Sequence, residues 1–204
     1  DLTHFEGNAN SLRLLTHQFR GRRRGGFAMT YSMLASIVKY PYESALAGEK
    51  SKFGFFTSEL DTYCRIADEL GLERRFTTGG KMRYARHPLV YIVEAADDIC
   101  YQVMDIEDAH KLKILSTDEV VDVFMRFFPE ERQAQMRRTM THVDDPNERI
   151  AYMRSCVIGT LVQQCAQTFA DNEQRLLDGT FEGSLVDNIP TLEREAYVGC
   201  SRLA

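Results

Sequence analysis

Apolar residues recur at helical spacing along most of the chain, and this pattern predicts a series of helices. Leu12, Leu15 and Phe19 repeat at steps of three and four, which predicts a helix from about Phe5 to Arg20. The same periodicity predicts further helices over 27–39, 58–70, 88–109, 117–128, 130–141 and 147–177. The predicted fold class is therefore mainly α, since no strand alternation is long enough to predict a sheet apart from a short ribbon near residues 73–86.

Glycine and proline divide the helical segments. Residues 42–56 have no regular period, and residues 73–86 are basic and contain glycine, which favours a loop or a hairpin. Pro88 suits the first turn of a helix, and Ser116 followed by Glu119 is typical of a capped helix start. Gly179 is expected to close the long helix that begins near residue 147.

Composition limits the classes of protein that fit. Of the 204 residues, 44% are hydrophobic and 27% are charged, which is typical of a globular chain, and the net charge of -5 argues against a general nucleic-acid coat. Five scattered cysteines form no CxxC pair, which favours reduced thiols and a cytoplasmic location. No apolar run approaches the roughly 18 residues that cross a bilayer, so no membrane partner is expected.

The segment 88–109 carries the most informative side chains. Projected at 100° per residue, one face holds Glu94, Asp97, Asp98, Tyr101 and Asp105, all within a narrow sector. The opposite face is wholly apolar, with Ile92, Val93, Ala96, Ile99, Cys100, Val103 and Met104. No Lys or Arg occurs between His87 and Lys111. The acidic face is either a solvated surface or, since like charges repel, a place for a hard divalent cation.

Several motifs then resemble one family. The stretches Arg86–Leu89 and Val93–Tyr101 resemble the signature of the bacterial deoxyguanosine triphosphate (dGTP) triphosphohydrolases, which are members of the HD metal-hydrolase superfamily. The blocks Phe5–Asn10, Leu34–Pro41 and Lys52–Phe56 are similar to family motifs in the same order. Later residues keep the family's spacing, namely Met153, Arg154, Phe169, Asn172 and Gly179.

The resemblance implies a multi-helical HD-superfamily fold, hydrolysis of dGTP to deoxyguanosine and inorganic triphosphate, and a homo-oligomer. It implies one divalent metal, Mg or Mn, held by a His, a His-Asp dipeptide and a later Asp that corresponds to Asp97. It also implies the substrate-binding residues: Asn8 near the sugar and phosphates, Lys39 and Tyr40 on the phosphates or sugar, Lys52 on the triphosphate, and Tyr101 with Asp105 at the deoxyribose.

One departure from the family pattern is large. None of the five histidines is followed by Asp, so the His and His-Asp ligands and the catalytic His and Glu are absent from these residues. We therefore expect a segment of a larger enzyme, inactive when isolated and without catalytic residues of its own. Residues 1–115 are expected to form the HD-type part, and residues 116–204 a C-terminal helical part.

Other interpretations stay open. The enzyme could be an HD phosphohydrolase with broader deoxynucleotide specificity. In a different class, the chain could be a non-catalytic helical module that binds single-stranded DNA or a partner helix through residues 20–24 and 73–86. No aromatic residue interrupts the arginine run at 20–24, which weakens base stacking there and favours a mobile loop. Lys39 and Lys52 could also be ordinary surface lysines.

Overall fold

A computed structural model gives the structure of the chain and describes residues 5–21, 26–47, 51–76 and 82–203. These residues form nine α-helices and one small sheet, which confirms the mainly α fold class. The helices are α1 (Gly7–Thr16), α2 (Tyr31–Ser36), α3 (Leu60–Glu69), α4 (Pro88–Lys111), α5 (Thr117–Met125), α6 (Glu130–Met140), α7 (Pro146–Asp171), α8 (Glu173–Leu177) and α9 (Thr191–Ser201).

The sheet is a two-stranded antiparallel hairpin. Strand β1 (Arg74–Phe76) pairs with β2 (Met82–Tyr84), so the hairpin option for residues 73–86 is confirmed. The hairpin tip at 77–81 lies outside the described residues, as does most of the arginine run, at 22–24. No described helix is long and apolar enough to cross a membrane.

The predicted helix over 27–39 is wrong at both ends. A turn precedes α2, in which Gly26 and Ala28 both have positive φ and the Phe27 amide donates to the Leu15 carbonyl at 3.1 Å. The side chain of Thr30 then caps the helix by accepting from the backbone amide of Met33. Hydrophobic spacing carries no information about positive-φ turns, so the pattern overextended this element.

The C-terminal third also differs from the prediction. The helix predicted over 147–177 is interrupted at Asn172, whose backbone leaves helical geometry, and it continues as the short α8. Gly179 follows with a positive φ of 71°, as expected for a glycine that ends a helix. Helix α9 was not predicted, although Pro190 at its N-cap and Glu193 in its first turn are typical start signals.

The chain divides into two compact units. The first comprises residues 1–94 and 172–182, and its core packs α2 against α3 beside the hairpin. In this core Tyr63 stacks on Phe55 with ring centroids 4.5 Å apart, and Tyr84 meets Tyr63 edge-on at 5.6 Å. The remaining buried members are aliphatic: Leu12, Leu34, Ala35, Val38, Ile66 and Ala67.

The second unit comprises residues 95–171 and 183–204, and its core lies where α5 packs against α7. Helix α5 begins with a reciprocal capping box between Ser116 and Glu119, as predicted. Its Phe124 and Met125 are buried, as is the α7 stripe of Ile150, Met153, Val157 and Leu161. Because the structure leaves the functional division at residue 115 untested, that boundary stays a prediction.

Candidate substrate and metal-binding residues

The segments that carry Lys39 and Lys52 run beside each other in the first unit. The amide of Gly54 donates to the Tyr42 carbonyl at 3.0 Å, and a parallel bridge follows one residue further along each segment. A Cβ atom at Gly54 would lie 2.1 Å from the Tyr40 carbonyl oxygen. Only glycine permits this approach, so the spacing of the two lysine-bearing segments depends on residue 54.

A buried glutamate brings Asn8 and Lys52 together. One carboxylate oxygen of Glu6 accepts from the side-chain amide of Asn8 at 3.0 Å and lies 3.5 Å from the Lys52 ammonium. The other oxygen accepts from the backbone amide of Ala9, so Glu6 also caps helix α1. Asn8 and Lys52, both predicted to bind substrate, therefore contact the same carboxylate. No role had been predicted for Glu6.

Lys39 is held in the same manner by Glu94. Its ammonium lies 2.7 Å from one oxygen of the Glu94 carboxylate, while Arg86 donates to the other oxygen. Arg86 is fixed from its opposite side, because its guanidinium lies 4.3 Å from the centroid of the Tyr91 ring. Burial raises the pKa of the Tyr91 hydroxyl, which donates to the Phe181 carbonyl at 3.1 Å. Charged partners at such distances form strong, directed hydrogen bonds.

Tyr40 and His87 have structural roles that the structure shows directly. Tyr40 is half-buried, and its ring lies 6.3 Å from that of Tyr42. The His87 ring nitrogen Nδ1 accepts from the amide of Leu89 at 3.2 Å, so this residue caps the start of α4. Burial lowers the pKa of His87, in agreement with an unprotonated nitrogen in that bond.

Helix α4 presents Asp97, Tyr101 and Asp105 on one exposed face, at the predicted spacing of four residues. Tyr101 is the most accessible aromatic side chain of the helix, at 66% exposure. In the described part of the chain neither Asp97 nor Asp105 forms an ion pair, whereas the buried Glu107 pairs with Arg154. Both carboxylates are exposed on the surface of the helix.

Two features of α4 depend on other parts of the chain and could not be read from the helix alone. On the acidic face, Glu94 has two basic partners. They are Lys39 and Arg86, which come from other parts of the chain. The apolar face is only partly buried: Ala95, Ile99, Val103 and Ile106 form the buried stripe. Five other residues of that face are exposed, namely Ile92, Val93, Ala96, Cys100 and Met104.

The described residues contain no group of three or more His, Cys, Asp or Glu side chains arranged to hold a metal ion. They do contain an exposed carboxylate at Asp97, and a carboxylate oxygen is the kind of ligand that Mg or Mn prefers. Asp97 thus fits as a single ligand, and the described residues do not make a complete metal site.

Several curated proteins are similar to this chain in sequence. No protein-family model matches it. A "deoxyguanosinetriphosphate triphosphohydrolase-like protein" of Pseudomonas aeruginosa (strain LESB58) is 36% identical over 197 residues, which are 93% of this chain and 42% of that protein. A protein of the same name from Synechocystis is 33% identical over 196 residues, covering 92% and 42% of the two chains. A "deoxyguanosinetriphosphate triphosphohydrolase" of Yersinia enterocolitica is 28% identical over 208 residues, covering 92% and 38%.

The names of these relatives are those of hydrolases. The chain is homologous to a segment of the deoxyguanosinetriphosphate triphosphohydrolase family, so the resemblance drawn from its motifs is confirmed. The chain spans about two fifths of the length of these curated relatives.

Proposed function

We propose that these residues are part of a metal-dependent phosphohydrolase that cleaves dGTP into deoxyguanosine and inorganic triphosphate. The observation that carries the proposal is in the first unit, where Lys39 and Lys52 lie on neighbouring segments and each is oriented by a buried carboxylate. An ordinary surface lysine moves freely, and holding it in place costs side-chain entropy. Two oriented ammonium groups suit a ligand with several negative charges.

The residue types fit the chemistry of a triphosphate substrate. Each ammonium group supplies a point charge and three hydrogen-bond donors for phosphate oxygens. Asp97 is proposed as one metal ligand, and Tyr101 with Asp105 as the contacts of the deoxyribose. A bound Mg or Mn would supply a Lewis acid and lower the pKa of a coordinated water. Attack on the α-phosphorus, with the 5′-oxygen of the nucleoside as leaving group, releases triphosphate intact.

Substrate range is the first alternative within this proposal. The contacts assigned to Lys39, Lys52, Tyr101 and Asp105 are to phosphate and sugar, so they are common to all four deoxynucleoside triphosphates. Guanine preference therefore rests on the names of the relatives. A broader deoxynucleotide phosphohydrolase would use the same four residues.

The proposal is tested in the full-length protein. It is incubated with each of the four deoxynucleoside triphosphates and Mg or Mn, and the products are separated by anion exchange. We expect triphosphate from dGTP and a loss of turnover of at least about a hundredfold in Asp97→Ala, because a metal ligand is removed. Asp108→Ala is the matched control, since Asp108 is an exposed acid on the same helix with no assigned role. Turnover like wild type in Asp97→Ala would refute the ligand assignment.

A second candidate function is binding of single-stranded DNA. Phe19 and Phe27, on either side of the basic run, are 42% and 64% exposed, and Phe76 on the hairpin is 69% exposed. Exposed aromatic rings next to arginines are typical stacking platforms for bases. Phe27→Ala is expected to weaken binding of a fluorescent single-stranded oligonucleotide severalfold, whereas Leu112→Ala, at a position that is 72% exposed, serves as the control. Equal binding by both variants and wild type would rule this function out.

A further inference from the structure

We infer that Glu94 is a positioning residue which holds Lys39 and Arg86 as one unit, and that the surplus positive charge of this unit binds the phosphate chain of the substrate. The inference rests on the proposed function, because it assigns the anion that the unit attracts. It adds Arg86 and Glu94 to the residues that bind substrate or orient those that do.

The three side chains of the unit differ in how far they are exposed to solvent. The Glu94 side chain is 9% exposed, that of Arg86 is 21% exposed, and that of Lys39 is 34% exposed. The carboxylate is therefore the inner group, and Lys39 is the cation most open to solvent. Arg86 has the Tyr91 ring on one side and the carboxylate beside it, so its position is fixed independently of any ligand.

The charge balance explains why two cations serve one carboxylate. A pair of Lys39 with Glu94 alone would be neutral and would attract an anion only weakly. Arg86 offsets the charge of Glu94, which leaves the unit with a net charge of one positive. Because Glu94 is buried and both cations are only partly exposed, the charges of the unit are screened less than those of fully exposed side chains. The lysine is thus both oriented and effective as a cation.

The backbone next to Lys39 is also held in place. Tyr40 follows it directly, and the Tyr40 carbonyl is in contact with Gly54 and accepts from the Tyr42 amide at 2.7 Å. Backbone and side chain of Lys39 are therefore both constrained. A preformed arrangement of this kind lowers the entropy that binding would otherwise cost.

The second unit contains a chemically matched group that serves as control. Glu107, also with a side chain that is 9% exposed, pairs with Arg154 at 2.5 Å and with Lys111 at 3.2 Å. It has the same three residue types, but its lysine is 53% exposed at the end of α4 and lies in none of the family-like motifs. The two groups therefore share their residue types and a buried glutamate, but they differ in the exposure of the lysine and in their place in the chain.

The test measures the dissociation constant of inorganic triphosphate by calorimetry, on the full-length protein in metal-free buffer. Glu94→Gln raises the net charge of the unit, so attraction by charge alone predicts tighter binding. Loss of positioning predicts weaker binding, by on the order of tenfold, which is the effect of losing one charge-assisted hydrogen bond. Glu94→Asp should recover part of the affinity. Unchanged or tighter binding by folded Glu94→Gln would overturn the inference.

Two further variants keep the inference testable if Glu94→Gln does not fold. Arg86→Gln makes the unit neutral, so it should weaken triphosphate binding and reduce its dependence on salt concentration. Glu107→Gln should lower the melting temperature without changing the dissociation constant. Unchanged binding in Arg86→Gln, or equal losses in Arg86→Gln and Glu107→Gln, would contradict the inference. Triphosphate binding that persists without hydrolysis of any deoxynucleotide would refute the proposed function alone.

Discussion

Replacing Gly54 by alanine tests the link between the two lysine-bearing segments. The added Cβ would lie 2.1 Å from the Tyr40 carbonyl oxygen and 2.5 Å from Cγ1 of Val38. Carbon atoms normally keep about 3.5 Å from such neighbours, so the segments must separate by roughly 1 Å. The Tyr40 carbonyl has little freedom to move, because it accepts a 2.7 Å hydrogen bond from Tyr42.

The change in unfolding free energy of Gly54→Ala follows from two opposing effects. Overpacking of this kind costs about 1–3 kcal/mol, and contact with backbone places Gly54→Ala near the upper end. Alanine recovers about 0.4–1 kcal/mol by restricting the unfolded chain. The net loss of unfolding free energy is thus about 2 kcal/mol, which for a chain of this size lowers the melting temperature by roughly 4–8 °C.

Thermal unfolding followed by circular dichroism measures this loss. Gly159→Ala is the matched control, since Gly159 lies inside helix α7 and a Cβ there meets nothing within 4 Å. That variant should be more stable than wild type by up to about 1 kcal/mol, because alanine is the better helix former. The separation of the two segments in Gly54→Ala should displace Lys39 and therefore also weaken the binding of inorganic triphosphate. A Gly54→Ala variant as stable as wild type would refute the packing argument.

Two further predictions concern the start of α4. Burial lowers the pKa of His87, so the unfolded chain takes up the proton first. The stability from His87 is full above its unfolded pKa of about 6.5 and is lost as the pH falls through the folded pKa. Urea unfolding between about pH 8 and pH 5.5 should show this slope, and an equal slope in His87→Asn would disprove it. Tyr91→Phe leaves the buried Phe181 carbonyl without its donor and should cost about 1–2 kcal/mol; unchanged urea stability would contradict this.

The elements that could be predicted from the sequence are those whose signals are local. Helix α4 begins at Pro88 as predicted, and α5 begins at the capping box of Ser116 and Glu119. In both cases the start is fixed by residues within one turn of the helix. Helix α2 was overextended because the turn at Gly26 and Ala28 reverses the chain without changing the hydrophobic spacing.

The site could be predicted only in part, for a physical reason. Family motifs supplied Lys39 and Lys52, but the carboxylates that orient them, Glu94 and Glu6, become partners only after the chain folds. Counting charges within one helix therefore missed the cations that face Glu94. The partial exposure of the apolar side of α4 was missed likewise, since periodicity shows which residues share a face but not what covers it.

The activity proposed for the full-length protein is release of triphosphate from dGTP by attack of water on the α-phosphorus. The most direct measurement is hydrolysis of dGTP in water enriched in the heavy oxygen isotope, with mass analysis of both products. The account predicts one heavy oxygen in inorganic triphosphate and none in deoxyguanosine. Heavy oxygen in deoxyguanosine, or release of pyrophosphate or monophosphate in place of triphosphate, would contradict it.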